Sequence, residues 1–348
     1  MPVLSSRALN RALLARQLFL ERARLPLTRA LERIAGLQTQ YAPSGYIGLW
    51  SRLEAFRRSS LTEALTTRSA VQATLMRSTI HVVSAADYWP FAVATRRART
   101  EWWQRVMAPQ LDGIDMTTVV ARVRGILTDG PQRYEELLVR LAAEGVPRAA
   151  WNGIAQMVDL VRVPPSGTWE QRRANLYGLA EDWLGPPAID EADALEHLVR
   201  RYLGGFGPAS RKDLASWTGL PATMLRPVVD ALDLRRFRDE RGGELLDLPD
   251  APLPDPHTPA PVRFISTWDA SLLVHARRSG ILPERYRSRV FNTKTPHSVP
   301  TFLVDGAVAG TWRHDAGRVE LTPFEPLPAS TMRDVEDEAD RLADFHAD

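Results

Sequence analysis

The fold is decided by residues 190–248, which read DEADALEHLVRRYLGGFGPASRKDLASWTGLPATMLRPVVDALDLRRFRDERGGELLDL. Apolar residues recur at helical spacing over 190–203, so this part predicts an amphipathic helix. Gly207 and Pro208 follow it, and neither residue type continues a helix well. The stretch therefore opens with one helix and a sharp break.

Two further helices and a hairpin follow this break. Ser210 and Asp213 resemble a capping box, which marks the start of a second helix. A third helix is predicted around Leu225, because its apolar positions follow an i, i+3, i+4, i+7 spacing. Gly242 and Gly243 then separate two short strand patterns, which is typical of a β-hairpin. Three helices followed by a hairpin describe a winged helix.

The same order recurs in residues 117–179. One helix is predicted before a break at Gly130-Pro131, a second over 135–144, and a third from Trp151 with the same apolar spacing. Two strand patterns separated by a long turn close this segment, which predicts a second winged helix with a long hairpin.

The N-terminal segment repeats the order more loosely. The expected elements are helices in residues 9–20, 26–37 and 49–56, an extra helix opened by a capping box of Ser60 and Glu63, and a hairpin made from VQATLM and TIHVV. Three tandem repeats with matched breaks predict an α+β fold class. A generic α+β protein with coincidental spacing is the alternative.

The composition changes after the third repeat. Prolines crowd residues 252–261, which predicts a linker, and short strand patterns follow it. Asp305-Gly306 is a strong hairpin-turn signal, and residues 332–345 predict an acidic helix with a solvated face. We therefore expect four units, the last being β-rich and ending in a helix. They span residues 1–110, 111–188, 189–250 and 260–348.

The composition also excludes several kinds of chemistry. The 348 residues carry a formal net charge of +2 and no cysteine, which rules out disulfides, thiolate zinc sites, iron–sulfur clusters and a cysteine nucleophile. Of the 44 basic residues only Lys212 and Lys294 are lysines. The arginine excess fits either GC-rich codon usage or phosphate recognition, and composition alone does not choose between them.

Several partners and cofactors are not indicated. No apolar run approaches the ~20 residues that span a membrane, and arginines interrupt the N-terminus too often for a signal peptide. We therefore expect a cytoplasmic protein without a membrane partner, and we also expect a monomer. The histidines lack metal-ligand spacing, and no P-loop, dinucleotide fingerprint, nucleophile elbow or HExxH occurs. We therefore predict neither a metal nor a cofactor.

One polar feature stands out in IAGLQTQYAP, residues 34–43. Gln38 and Gln40 lie two residues apart just past the second predicted helix, where extended backbone points both side chains to one side. An amide both donates and accepts hydrogen bonds, so two of them are able to hold a water against a sugar. Two solvated glutamines at a helix end are the structural alternative.

Four blocks carry a family resemblance, namely LQTQYAPSGYIGLWSRL, LMRSTIHVVSAADYW, FISTWDASLLVHARRSGILP and FLVDGAVAGTWR. In this order they resemble the winged-helix DNA glycosylases of the HTH_42 superfamily, in the azinomycin-resistance glycosylase-like branch. The resemblance covers nearly the whole chain. It implies three tandem winged helices around a DNA-binding cleft, and excision of N-alkylated bases from double-stranded DNA. Some members of that family also unhook interstrand crosslinks.

The resemblance also implies a catalytic motif. The family carries Gln-hydrophobic-Gln or Gln-hydrophobic-Asp, and Gln38 and Gln40 match the first form. Thr39 stands at the hydrophobic position, which is a mild departure because its methyl group can pack. A purine alkylated at N7 is cationic and leaves readily, so a positioned water and dipoles near the sugar suffice. Since two lysines leave few amines for covalent attack, we expect a monofunctional glycosylase for N7- or N3-alkylated purines, serving self-resistance or alkylation repair.

Other residues are candidates for DNA contact. The predicted wing residues are Arg162, Arg172, Arg173, Arg235, Arg236, Arg238 and Trp169. The hairpin of residues 163–176 is expected to enter a groove. Arg77, His81 and Trp312 lie in the resembling blocks and are candidate cleft residues; structural and functional roles are balanced for His81, whereas Trp312 fits a core position better.

Two rival function classes use the same features. A non-enzymatic winged-helix transcriptional regulator would also bind DNA, and it would leave an operator footprint without base release. A drug-sequestering scaffold would bind a free genotoxin without DNA.

Overall fold

The computed structural model describes residues 1–111, 113–273, 280–291 and 298–348. The helices are α1 (Ser6–Arg16), α2 (Leu27–Arg33), α3 (Ala42–Trp50), α4 (Arg58–Thr66), α5 (Ala85–Val106), α6 (Met116–Thr128), α7 (Tyr134–Ala143), α8 (Trp151–Met157), α9 (Ala180–Leu184), α10 (Glu191–Phe206), α11 (Arg211–Thr218), α12 (Ala222–Ala231), α13 (Ala270–Leu273), α14 (Arg287–Val290) and α15 (Ala329–Ala347). The strands are β1 (Val3–Leu4), β2 (Leu37–Gln38), β3 (Ala70–Thr74), β4 (Ile80–Ser84), β5 (Gln132–Arg133), β6 (Leu160–Arg162), β7 (Leu176–Leu179), β8 (Arg235–Asp239), β9 (Glu244–Asp247), β10 (Arg263–Ile265), β11 (Thr301–Val304), β12 (Ala307–Asp315) and β13 (Arg318–Pro323). The predicted α+β class is confirmed.

Each predicted repeat consists of helices followed by an antiparallel hairpin. Helices α1–α4 precede β3–β4, α6–α8 precede β6–β7, and α10–α12 precede β8–β9. The capping box of α11 is present, with Ser210 and Asp213 each accepting a hydrogen bond from the other's backbone N–H. The order of elements is therefore confirmed, while the four unit boundaries stay predictions.

The hairpins of the first two repeats share one sheet. Its strand order is β2-β4-β3-β6-β7-β5, and β3 pairs antiparallel with β6 at Gln72 and Arg162. Neither hairpin is therefore a free wing. The third hairpin lies in a separate sheet, where β1 pairs parallel with β8. The sequence patterns did not reveal the pairing between repeats, because each pattern describes only one stretch of chain.

The first repeat differs most from its prediction. Helix α2 ends at Arg33 and not near residue 37, and α3 contains Gly45 and Gly48, which were expected to precede it. Close packing explains both glycines, since a Cβ at Gly45 would lie 2.8 Å from the Thr39 methyl group. Helix α4 begins before Ser60, so the predicted capping box there does not form.

Helix α5 is long and was not predicted. Ser84 caps it by accepting a hydrogen bond from the backbone N–H of Asp87. Pro90 lies inside the helix, and because proline usually breaks helices it obscured the periodic pattern. The helix packs against α10 and α8, and the largest apolar cluster gathers around Phe91, Tyr202 and Trp217. This helix therefore joins the first repeat to the other two.

The proline-rich segment is held to helix α1. The Arg7 Nε donates to the carbonyl of Pro256 at 2.8 Å, and Arg16 Nη2 donates to that of Pro252 at 3.0 Å. Residues 251–262 contain no helix or strand, as the linker prediction requires. They nevertheless have fixed contacts with the first repeat.

The C-terminal part forms a four-stranded antiparallel sheet in the order β10-β11-β12-β13. Its predicted turn at Asp305-Gly306 is confirmed, with both residues at positive φ. Helix α15 has the predicted solvated face, where Asp334, Asp337 and Asp344 are exposed, and it also buries Leu342 and Phe345. No helix in the described ranges has the length and apolar character needed to cross a membrane.

Candidate active site

The two motif glutamines lie on the short segment that joins α2 to α3. The chain leaves α2 through Ala35 and Gly36, both at positive φ. A Cβ at Gly36 would lie 2.8 Å from Val83 Cγ1, so glycine allows this turn to approach β4. Strand β2 then pairs antiparallel with β4, which places Gln38 opposite His81.

Both glutamine side chains contact the turn of the β3–β4 hairpin. Gln38 is buried, and its Oε1 accepts a hydrogen bond from Arg77 Nη2 at 2.7 Å. Gln40 is exposed, and its Oε1 accepts from the backbone N–H of Ile80 at 2.6 Å. The interpretation of two freely solvated glutamines is therefore wrong for Gln38, because the hydrogen bond from Arg77 orients its buried amide.

Thr39 between them is firmly packed. It is 1% exposed, and its backbone N–H donates to the carbonyl of Ile80 at 2.7 Å. Its hydroxyl accepts from Gln72 Nε2 at 3.3 Å, while its methyl group lies against Gly45. Threonine therefore fills the apolar position of the motif and also accepts a hydrogen bond from the buried amide N–H of Gln72.

The hairpin turn beneath the motif touches all three repeats. Arg77 and Ser78 both adopt positive φ, at 54° and 57°, a conformation that is costly for residues with a side chain. Ser78 Oγ donates to Gln156 Oε1 on α8 at 2.9 Å, and Arg77 Nη1 donates to the carbonyl of Trp217 on α11. The turn thus connects the second and third repeats to Gln38.

The charges around Gln38 are set by burial. Desolvation lowers the pKa of Arg77 to about 10, so its guanidinium is still charged at neutral pH. Burial, together with the charge of Arg77, lowers the pKa of His81 to about 3, so this imidazole is neutral. His81 Nδ1 lies 3.0 Å from the carbonyl of Thr79 and donates to it. Its buried Nε2 is then an acceptor without a partner among the described residues.

Three of the residues predicted to contact DNA make structural contacts within the protein, and two of them are buried. Arg162 is 7% exposed, donates to Thr74 Oγ1 at 3.2 Å and lies over the Tyr177 ring. Trp169 is 7% exposed and does not lie at an exposed hairpin tip. Arg235 is bound to the buried carboxylate of Asp247 at 2.8 Å. The burial of Arg162 and Trp169 was not visible in the sequence because the covering groups are distant along the chain, whereas Arg235 is still 33% exposed.

The other four arginines are exposed. Arg172 donates to the Tyr41 hydroxyl at 2.8 Å, and Arg173 pairs with Glu135 at 3.1 Å. Arg236 pairs with Glu244 on the neighbouring strand. Arg238 lies on the same strand as Arg236. These four guanidinium groups are available to an approaching phosphate, since exposed ion pairs are weak.

Sequence reasoning missed several residues around the motif. Gln72, Gln156 and the Trp217 carbonyl hold the motif or its turn, and their sequence positions gave no sign of this contact. The one signal in the sequence was Gln72 itself, a polar residue within the apolar strand pattern VQAT. The Gln72 Oε1 is buried without a hydrogen-bond partner among the described residues.

An open pocket of about 490 Å³ begins directly after Gln40. Trp312 lines it, although that residue is only 6% exposed and its Nε1 donates to the carbonyls of Ile265 and Thr301. Trp312 is therefore a core residue, as expected, and its exposed edge also borders a cavity near the motif.

Comparison with known proteins gives consistent results. A model of the AlkZ-like DNA glycosylase family matches residues 31–345. The Interstrand DNA cross-link repair glycosylase of Streptomyces sahachiroi is 24% identical over 338 residues, with 89% of this chain and 88% of that protein covered. The solved structure of Streptomyces sahachiroi DNA glycosylase AlkZ shares this fold, with a TM-score of 0.83 at 19% identity over 98% of this chain and 97% of that one. The chain therefore belongs to the family of AlkZ-like DNA glycosylases.

Proposed function

We propose that this glycosylase hydrolyses the N-glycosidic bond of N7- or N3-alkylated purines in double-stranded DNA, with Gln38 and Gln40 orienting the attacking water. The observation that carries the proposal is the convergence of both amides on one hairpin turn, with Gln38 bound to Arg77 at 2.7 Å. The match of the whole fold to a DNA glycosylase family supports the reaction class.

The chemistry suits amides better than a strong base. An N7-alkylated purine carries a positive charge and departs as a neutral base, so the leaving group needs little protonation. The sugar becomes cationic in the transition state and is stabilised by oxygen dipoles that face it. Each amide oxygen has two lone pairs and uses one within the protein, which leaves one on each glutamine to accept from a water. A neutral His81 adds no further positive charge beside this cation.

We also propose that bulky adducts and interstrand crosslinks are substrates. The curated relative is named for crosslink repair, and the motif segment lies beside an open pocket that leaves room around the lesion. Release of the base from duplexes with a panel of N3- and N7-alkyl purines, one of them crosslinked, distinguishes these substrates. Activity on none of them would overturn the proposed function.

A monofunctional reaction is part of the proposal. Lys212 lies exposed in the first turn of α11, while Lys294 falls outside the described residues. Lys212 makes no described contact with Gln38 or Gln40, and lysines are scarce in the sequence, so water is the expected nucleophile. The protein is expected to act as a monomer on DNA in the cytoplasm.

Substitution of the motif tests the assignment. Gln38→Ala and Gln40→Ala are each expected to slow release of N7-methylguanine from a duplex by about 100-fold, because loss of a positioned water costs roughly that much. Gln104→Ala, which removes an exposed glutamine from α5, is the matched control. Wild-type rates in both motif variants, with intact DNA binding, would exclude the assignment. Strand scission without alkali in the same assay would contradict a monofunctional enzyme.

A further inference from the structure

The pocket beside Gln40 is built from distant parts of the chain. Its wall begins with Tyr41 and the first residues of α3, continues with the β6–β7 connection, and closes with the C-terminal sheet and the end of α15. The volume of about 490 Å³ falls within the range of small-molecule pockets. The C-terminal part therefore borders the motif segment, although nothing in the hydrolysis itself requires it.

Five of the described lining residues of this pocket carry aromatic rings. Tyr41, the residue after Gln40, is 43% exposed, so part of its ring is accessible to a ligand. Trp169 and Trp312 lie behind it, and the imidazoles of His314 and His346 stack with their centroids 4.0 Å apart. Such rings bind another planar ring through stacked and edge-to-face contacts.

The charges of the pocket favour an uncharged ligand over a cation. Arg172 lies 5.8 Å from the Tyr41 ring centroid and Arg289 also lines the pocket, whereas the charge of Arg313, a third lining arginine, is offset by its ion pairs with Asp315 and Glu320. Its described lining contains no carboxylate. Burial lowers the pKa of His346 to about 4, so this ring is neutral, and its buried Nε2 has no partner among the described residues. A cationic alkylpurine would be repelled here, whereas a neutral aromatic ring would not.

We propose that this pocket binds an uncharged planar aromatic substituent carried by the alkylated purine, while the cationic purine itself stays at Gln38 and Gln40. The inference rests on the proposed function and extends it by naming the substrate class. Release of adducts with an aromatic substituent should therefore exceed release of simple methyl adducts, because the substituent gains contacts that methyl lacks.

Three duplexes test this preference. They carry N7-methylguanine, N7-benzylguanine or N7-cyclohexylmethylguanine, and each enzymatic kcat/KM is divided by the rate of spontaneous depurination of that duplex. We expect the benzyl value to exceed the methyl value about tenfold, with cyclohexylmethyl in between, because bulk without a π system lacks the ring contacts. Equal normalised values for all three adducts would overturn the inference while the proposed function stands.

Two variants locate the effect. Thr267→Phe places a ring into the pocket, and His314→Ala removes half of the stacked pair. Each is expected to reduce the benzyl-to-methyl ratio to about one, whereas His257→Ala, an exposed histidine outside the pocket, is expected to leave it unchanged. A ratio that survives in both pocket variants would place the aromatic preference elsewhere and overturn the assignment.

A binding measurement separates this inference from catalysis. Free 7-benzylguanine, which is neutral, should quench the tryptophan fluorescence of the wild-type protein at lower concentrations than 7-methylguanine, because Trp169 and Trp312 line the pocket. Thr267→Phe should abolish the difference. Absence of any difference in the wild type would refute the pocket, even if base release from DNA is observed. Binding without base release would retain the pocket and refute the proposed function.

Discussion

At the scale of single residues, the site depends on how the motif is held. The printed sequence shows two glutamines flanking a threonine, but the structure adds Arg77 at 2.7 Å from Gln38 Oε1. Arg77 also donates to the Trp217 carbonyl, so its planar guanidinium spans two acceptors from different repeats. Its left-handed backbone is maintained by these contacts, which suits a positioning residue.

Removal of Arg77 should slow catalysis through Gln38. We expect Arg77→Ala to lower kcat for N7-methylguanine release about tenfold with little change in KM, because Gln38 loses the hydrogen bond that orients its amide while the exposed arginines are unchanged. Arg77→Lys should recover only part of the rate, since one ammonium does not reproduce the fork. Rates are measured in single-turnover base-release assays.

A double variant separates positioning from stability. If Arg77 acts through Gln38, Arg77→Ala should have no further effect on kcat in a Gln38→Ala background. Additive losses in the double variant would show that Arg77 acts independently of the amide.

The buried imidazole of His81 predicts a pH dependence of stability. Its folded pKa of about 3 lies below the ordinary value of 6.5, so the unfolded chain takes up a proton first as the pH falls. The free energy of unfolding should therefore decrease between pH 6.5 and pH 4, by up to about 1.4 kcal/mol per pH unit from this group. Urea denaturation at several pH values should show a shallower decrease for His81→Gln than for the wild type and for the exposed control His257→Gln. Identical slopes in all three would contradict a neutral buried His81.

At the scale of elements, the folding of the β6–β7 hairpin decides which of its arginines are exposed and which are buried. Its connection folds back so that Trp169 contacts Tyr46 and Phe345 in edge-to-face geometry. Ser166 and Thr168 add side-chain hydrogen bonds within the connection. This leaves Arg172 on the outside and Arg162 inside, a division that the spacing of the two residues along the hairpin did not indicate.

The exposed and buried arginines should differ in their effect on DNA binding. Arg172→Gln and Arg238→Gln are each expected to reduce the slope of log K against log salt by about one, because each phosphate contact releases about one counterion. Arg318→Gln, an exposed arginine outside the predicted set, should leave the slope unchanged. Titrations of an undamaged duplex at several salt concentrations measure this. An unchanged slope in both wing variants would remove these arginines from the DNA surface.

At the scale of the whole molecule, buried ion pairs hold the repeats together. Arg16 on α1 binds both carboxylate oxygens of Asp247 on β9, at 2.6 and 2.9 Å, and both side chains are fully buried. Arg52, just past α3, binds one carboxylate oxygen of Asp269 in the C-terminal part at 2.7 Å, and this pair is also buried. Some of the many arginines therefore have a structural role in buried ion pairs. This is a third explanation of the arginine excess, beside codon usage and phosphate recognition.

Loss of the first of these pairs should destabilise the whole chain. Arg16→Met removes one of the two arginines bound to the buried Asp247 carboxylate, and because Arg235 remains, we expect a cost of about 3 kcal/mol, at the lower end for a broken buried pair. Arg29→Met, which removes an ion pair with an exposed arginine, should cost less than about 1 kcal/mol. The free energies of unfolding are obtained from urea denaturation. A loss of less than about 1 kcal/mol in Arg16→Met would show that the pair does not join the repeats.

The sequence by itself determined the local units and the motif. The helix breaks, the capping box at Ser210, the turn at Asp305-Gly306 and the positions of Gln38 and Gln40 depend on neighbours within a few residues, so local patterns reported them. Only the tertiary structure decided that two hairpins share one sheet, which arginines are buried, and where the pocket lies. These properties arise from pairing and burial between segments far apart in the chain, and no local pattern encodes which segments meet.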